Sequence, residues 1–235
     1  RTPNSMTNPA TVGKIRERLS NNKYLCYVGS LVPEKSFHRV LLPFAITRFF
    51  YPNLKLVVVG SSMVHGKLPS HAAIPTTKNY ANKLNFLITI LRLKSSIIFT
   101  GQLGYEKYQI IEKSEFILVN PTGNTETCCV SALEAASLGK AVVTGNYSAL
   151  KHTVLHKRTG LLCNNLFETV FSYLSLLKNR DFRNQLGLNG IDRISSEYSN
   201  EIVGQKWHAL LQTFGENLKQ LQIAKGQKNE TKNQT

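Results

Sequence analysis

A chain of 235 residues with 42% apolar content can bury a sizeable core, which excludes disorder over most of its length and allows one large domain, or one domain with helical additions. Its 29 Lys and Arg against 14 Asp and Glu give a formal charge of +15, a field that favours anionic partners such as a diphosphate ligand, an anionic membrane surface or nucleic acid. No stretch approaches the roughly 18 apolar residues of a membrane-spanning helix. The four cysteines, Cys26, Cys128, Cys129 and Cys163, make neither a disulfide framework nor a Cys-x-x-Cys zinc pair.

Residues 1–23 are polar at their start, where Arg1–Pro9 carries no apolar signal core, and they read as an interdomain linker. With the cysteine usage, this gives the expectation of a reduced, cytoplasmic protein. Short apolar runs then alternate with helical patterns. The runs are Tyr24–Val28, Leu54–Val59, Ile97–Thr100, Phe116–Val119, Ala141–Thr144 and Gly160–Leu162. Several are apolar on both faces, as strands of a covered parallel sheet must be. Between the first two, Phe37, Val40, Leu41, Phe44 and Arg48 recur at helical spacing. Glycines close three of the strands, at Gly29, Gly60 and Gly101. Strand, glycine and helix in repetition predict a doubly wound, Rossmann-like parallel α/β sheet over residues 24–165.

From Lys35 to Tyr105 there is no Asp or Glu, while Arg39, Arg48, Lys55, Lys83, Arg92 and Lys94 lie in that span. Tyr80–Lys94 reads as a basic amphipathic helix, with Tyr80, Leu84, Leu87, Ile88 and Leu91 on one face. Packing of that stripe on the sheet is the favoured reading, and peripheral contact with an anionic membrane is the other. Beyond residue 165 the pattern is helical, over Leu166–Lys178, Asp181–Ser196 and Glu201–Leu221, so residues 166–223 are expected to be C-terminal helices of the same domain. Residues 224–235 read as a disordered polar tail.

Ligands of such sheets sit beyond the carboxyl ends of the strands, here Gly29-Ser30, Gly60-Ser61, Gly101-Gln102 and Asn120-Pro121. The richest stretch follows the last of these. A Gly/Asn loop leads into a helix expected from about Thr127 to Leu138, with Glu126 at its edge and Glu134 two turns further in. Amides at a helix start (Thr127, Cys128, Cys129, Val130) suit a diphosphate. A carboxylate at Glu134 could accept bonds from neighbouring ribose hydroxyls, and Glu126 could do so for a sugar. The only aspartates, Asp181 and Asp192, form no Asp-x-Asp pair, so no metal is expected.

Glu126 and Glu134 form E-x7-E, followed by Gly139 and an apolar strand. Upstream lies Tyr27-Val-Gly-Ser-Leu-Val-Pro-Glu-Lys35, and Leu56-Val-Val-Val-Gly60, Ile98-Phe-Thr-Gly101 and Gly160-Leu-Leu162 follow in order. Together these resemble glycosyltransferase family 4, over residues 24–165. The resemblance implies the C-terminal, donor-binding half of a GT-B enzyme that moves a sugar from a nucleotide-diphosphate sugar with retention. It implies no cofactor and no metal beyond the nucleotide-sugar co-substrate. The acceptor is open (sugar, lipid-linked or protein), and an N-terminal half is expected in cis or in trans.

By the same resemblance Lys35 would neutralise the diphosphate, Glu134 would bind ribose, and Glu126 would meet the transferred sugar as the catalytic carboxylate. Gly29, Ser30, Gly60, Gln102 and the amides of Thr127 to Val130 would complete the donor site. Two departures stand out. The family's arginine after the first glycine is Ser30, and its Gly-Phe-Gly after the first glutamate is Thr127-Cys128-Cys129. The lost arginine leaves room for an alternative, a non-catalytic nucleotide-sugar-binding module or regulatory subunit. A nucleic-acid role lacks any reader motif or aromatic-basic interleaving.

Overall fold

The computed structural model describes residues 13, 15, 17–19, 22–60, 75–122 and 126–232, with 75–78 and 219–232 described in backbone only. Six strands form one parallel sheet: β1 (Tyr24–Val28), β2 (Lys55–Val59), β3 (Ile97–Gly101), β4 (Ile117–Leu118), β5 (Val142–Gly145) and β6 (Gly160–Cys163). Their spatial order is β3-β2-β1-β4-β5-β6. Connections run outward from β1 through β2 to β3, then return to β4 and run outward the other way. That reversal between β1 and β4 is the topological switch point of a doubly wound sheet.

Helices cover both faces. From residue 38 onward, among the described residues, they are in chain order α1 (His38–Phe50), α2 (Pro75–Ile90), α3 (Glu106–Lys113), α4 (Val130–Ser137), α5 (Leu150–Thr153), α6 (Leu166–Lys178), α7 (Arg180–Arg193) and α8 (Asn200–Lys232). All five residues of β1 are buried, and they alternate between two cores as a pleated strand requires. Leu25 and Tyr27 join Phe37, Phe44, Leu84 and Tyr173, beneath α1, α2 and α6. Tyr24, Cys26 and Val28 join Ile111, Ala132, Ala135 and Leu150, beneath α3, α4 and α5. Ile15 and Leu19 belong to this second core, so the part of the expected linker that is described packs on the sheet. The rest of it lies outside the described residues.

Three strand-closing glycines meet at the carboxyl edge. The amide of Gly29 donates to the carbonyl of Val59, and that of Gly60 to the carbonyl of Gly101, each at 3.0 Å. A Cβ on Gly60 would lie 2.0 Å from the carbonyl oxygen of Gly29. The backbones of β1 and β2 thus approach too closely there for any side chain.

The chain divides into two compact units, one ending at Ile191 and the other beginning at Asp192. The helices after residue 165 are therefore split: α6 and nearly all of α7 belong with the sheet, and α8 belongs to the second unit. Helix α8 also runs to Lys232, through the stretch expected to be a disordered tail. Gln, Lys, Glu and Ala dominate that stretch, and these are strong helix formers that need no apolar face to continue a helix already begun.

Candidate functional site

Strand β1 pairs with β4 so that Cys26 opposes Ile117 and Tyr27 opposes Leu118. Continuing that register sets Gly29 opposite Asn120, at the mouth of the crevice between the two halves of the sheet. Gly29 leads through Ser30 to a 3-10 turn, Pro33–Lys35, which ends at Ser36 in the left-handed conformation at φ 50°. The turn is fixed from two sides. From below, the hydroxyl of fully buried Tyr27 donates to the carbonyl of Lys35 at 3.2 Å. From across the crevice, the Thr122 hydroxyl lies within hydrogen-bond reach of the Ser36 hydroxyl at 3.2 Å and of the side-chain oxygen of Asn120 at 3.1 Å, and shares its one proton between them.

This frame brings Lys35 to Glu126. Their ammonium and carboxylate form an ion pair on Oε1, to which Asn120 Nδ2 also donates at 3.1 Å. The Glu126 side chain is only 8% exposed, so the pair works in a medium less polar than water, where a carboxylate needs such partners. The phenol of Tyr27 beneath them is held well above its ordinary pKa, chiefly by burial, with smaller contributions from Tyr80, Cys129 and the Glu126 charge. It stays a neutral donor.

Glu134 lies on α4 and is held by the helix across from it. Lys107 Nζ pairs with Glu134 Oε1 at 2.6 Å, and the Tyr108 hydroxyl donates to the same oxygen at 3.2 Å. Burial first, then the Glu134 carboxylate, raises the pKa of Tyr108. Sequence reasoning missed Lys107 and Tyr108. The signal was their place just after Gly101 and Gln102, in the first turn after a strand's carboxyl end, where side chains face the crevice.

Helix α4 starts at Val130, three residues later than the sequence pattern predicts. Thr127, Cys128 and Cys129 form a non-helical approach, and the carbonyl of Cys129 accepts from the amides of Ala132 and Leu133. The two glutamates of E-x7-E therefore serve different clusters rather than one helix face. Glu126 meets the β1 and β4 loops, and Glu134 meets α3. Cys129 is buried, which pushes its thiol pKa up to about 12 and keeps it protonated, whereas Cys128 is exposed. Val130 is exposed at the helix start.

The remaining expected residues sit at the same edge with lesser connections. Gly60 bridges to Gly101, and Ser30 is half-buried. Gln102 is exposed, and among the described residues no hydrogen bond joins it to either glutamate. Ser61 and residues 123–125 lie outside the described part of the chain.

Residues 13–193 match the family model described as glycosyl transferases group 1, more than three-quarters of the chain. Among characterised sequences, the chain is 24% identical to the capsular polysaccharide biosynthesis glycosyltransferase CapM of Staphylococcus aureus, over 86% of this chain and 49% of that protein. Among solved structures, it superposes on HepE of Anabaena in complex with UDP, with a TM-score of 0.72 at 19% identity, over 88% of this chain and 54% of that one. Sucrose-phosphate synthase of Thermosynechococcus elongatus aligns with a TM-score of 0.64 at 20% identity, over 93% and 51%. At such identities the structural likeness speaks for the fold alone. The chain spans about half the length of the relatives it matches. It belongs to the group 1 (family 4) glycosyl transferases, with the fold of one half of a GT-B enzyme.

Proposed function

We propose that this chain is the donor-binding half of a retaining glycosyltransferase, holding a nucleotide-diphosphate sugar over the crevice between β1 and β4. The observation that carries the reading is the meeting of Lys35, Glu126 and Asn120 at the switch point, with Glu134 on the adjoining helix. In this reading Lys35 leaves its pairing with Glu126 to meet the diphosphate. Backbone amides at the approach to α4, with the positive end of that helix, supply the second share of anion stabilisation that Ser30 does not. The released Glu126 carboxylate then accepts hydroxyls of the transferred sugar, still positioned by Asn120.

Glu134 takes the ribose hydroxyls, with Lys107 and Tyr108 fixing the carboxylate from behind. The reaction passes through an oxocarbenium-like state as the diphosphate leaves. Leaving-group charge is met by Lys35 and the amides, with no metal required. Family membership and the similarity to a capsular polysaccharide glycosyltransferase support sugar transfer in glycan synthesis over the reading as a non-catalytic binding module.

The acceptor-binding half would come from another part of the polypeptide or from a separate chain. Much of the rate enhancement in a two-substrate transfer comes from positioning the acceptor against the donor. The 235 residues alone should therefore turn over donor no faster than hydrolysis. Supplying the complementary half should bring transfer to an acceptor, and Glu126→Ala should abolish it while leaving the circular dichroism spectrum unchanged. Transfer by the 235 residues alone, or full activity of Glu126→Ala in the complemented enzyme, would refute this division of labour.

A further inference from the structure

Helices α1 and α2 lie side by side on one face of the sheet, because each connects neighbouring strands in the same outward run. Tyr80, Leu84 and Ile88 of α2 point into the core, so the apolar stripe legible in the sequence is the inner face. The outer face carries a second set. Leu42, Phe49 and Phe50 on α1, and Phe86 and Ile90 on α2, are all exposed, Phe49 to 83%. The rings of Phe49 and Phe50 meet edge to face with centroids 5.4 Å apart. Soluble surfaces do not usually gather large apolar side chains this way.

The two helices themselves carry charge of one sign. Arg39, Lys83, Arg92 and Lys94 are exposed on the same two helices and the turn after α2. Lys55 ties the start of β2 to that turn by donating to the carbonyl of Ser95 at 2.9 Å. The acids that flank the acid-free stretch in sequence, Glu34 and Glu106, follow β1 and β3 and so sit at the carboxyl edge. Phe49, Phe50 and Ile90 end helices that run back from that edge, about 20 Å away by the length of α1.

We propose that the outer face of α1 and α2 is a docking surface for an anionic lipid bilayer. Phenylalanine and isoleucine side chains enter the headgroup boundary while the surrounding lysines and arginines meet lipid phosphates. Charge complementarity selects this occupant. Two copies of an acid-free basic face would repel one another, and exposed Phe and Ile side chains offer no hydrogen bonds to a nucleic acid. Docked by this face, the protein keeps the crevice at the opposite edge clear of the surface. The inference does not rest on the sugar-transfer reading.

Flotation of the 235-residue chain with vesicles, without any nucleotide sugar, tests it. The chain should float with phosphatidylcholine vesicles containing phosphatidylglycerol, much less with phosphatidylcholine alone, and less as salt rises. The double variant Phe49→Ser/Phe50→Ser should weaken binding by about tenfold or more, since each ring contributes transfer free energy on insertion. Lys83→Glu/Arg92→Glu should weaken it comparably, and both variants should keep the wild-type melting temperature. Failure to float with the anionic vesicles, binding unchanged in the phenylalanine variant, or a wild-type dimer that this variant dissolves would each overturn the assignment.

Discussion

At the scale of single residues, the site is a set of charges that hold one another until something else arrives. Lys35 and Glu126 share an ion pair, and Glu134 is shared by Lys107 and Tyr108. If Glu134 binds ribose, Glu134→Ala should cost nucleotide-sugar binding about 1–3 kcal/mol, the range for hydrogen bonds to a charged group. It should cost a 2′,3′-dideoxy analogue much less. Calorimetry that finds equal losses would mean that the variant acts through the stranded Lys107 instead. A second residue-scale expectation concerns pH. Burial, with the charges of Lys83 and Arg39, lowers the pKa of His38 from its ordinary 6.5. The unfolded chain then binds a proton more readily than the folded one, so stability is full above 6.5 and falls as pH drops from there through the folded value. His38→Gln, which can still reach the hydroxyl of Tyr80, should flatten that fall in urea titrations between pH 7 and 5. An unchanged slope would clear His38 of the effect.

Elements were legible where two signals agreed. Strands β1, β2 and β3 stand out because their apolar runs end at glycines, and at Gly60 the glycine is required, since a Cβ there would lie 2.0 Å from the carbonyl oxygen of Gly29. Gly139 is likewise explained: it closes α4 at φ 66°, a conformation that Lys140 completes by donating to the carbonyl of Ala135. Helix α3 was hidden, since Glu106–Lys113 has few apolar residues and buries only Ile110 and Ile111. Helix α4 starts later than its pattern predicts because Thr127 and the cysteines carry no signal separating a helix turn from a non-helical approach. Packing between elements makes its own demand. A Cβ on Gly187 would lie 1.9 Å from the carbonyl of Gly139, so at this point α7 meets the backbone just past α4 too closely for any side chain at residue 187. Gly187→Ala should destabilise the fold by about 1–3 kcal/mol through overpacking, despite alanine's better helix propensity. Thermal melting that finds the variant as stable as wild type would contradict this contact.

The whole molecule joins a doubly wound sheet, which sets a crevice where strand order reverses, to a positive field that suits what the crevice would hold. Topology alone places Gly29 opposite Asn120. Residue identity then sets Lys35 and two glutamates beside them, and this part was readable from the order and spacing of motifs. Which glutamate each partner fixes is not readable from spacing, because Asn120, Lys107 and Tyr108 reach them only after the chain has folded, and the place of Lys107 and Tyr108 after Gly101 and Gln102 is the one local cue. Titration calorimetry of the 235-residue chain against a panel of nucleotide-diphosphate sugars in the presence of EDTA tests the central claim most directly. At least one nucleotide-diphosphate sugar should bind in one-to-one stoichiometry, and Lys35→Met and Glu134→Ala should each weaken it by about tenfold or more. Absence of binding across the panel, a strict dependence on added divalent metal, or affinity untouched by both substitutions would contradict it.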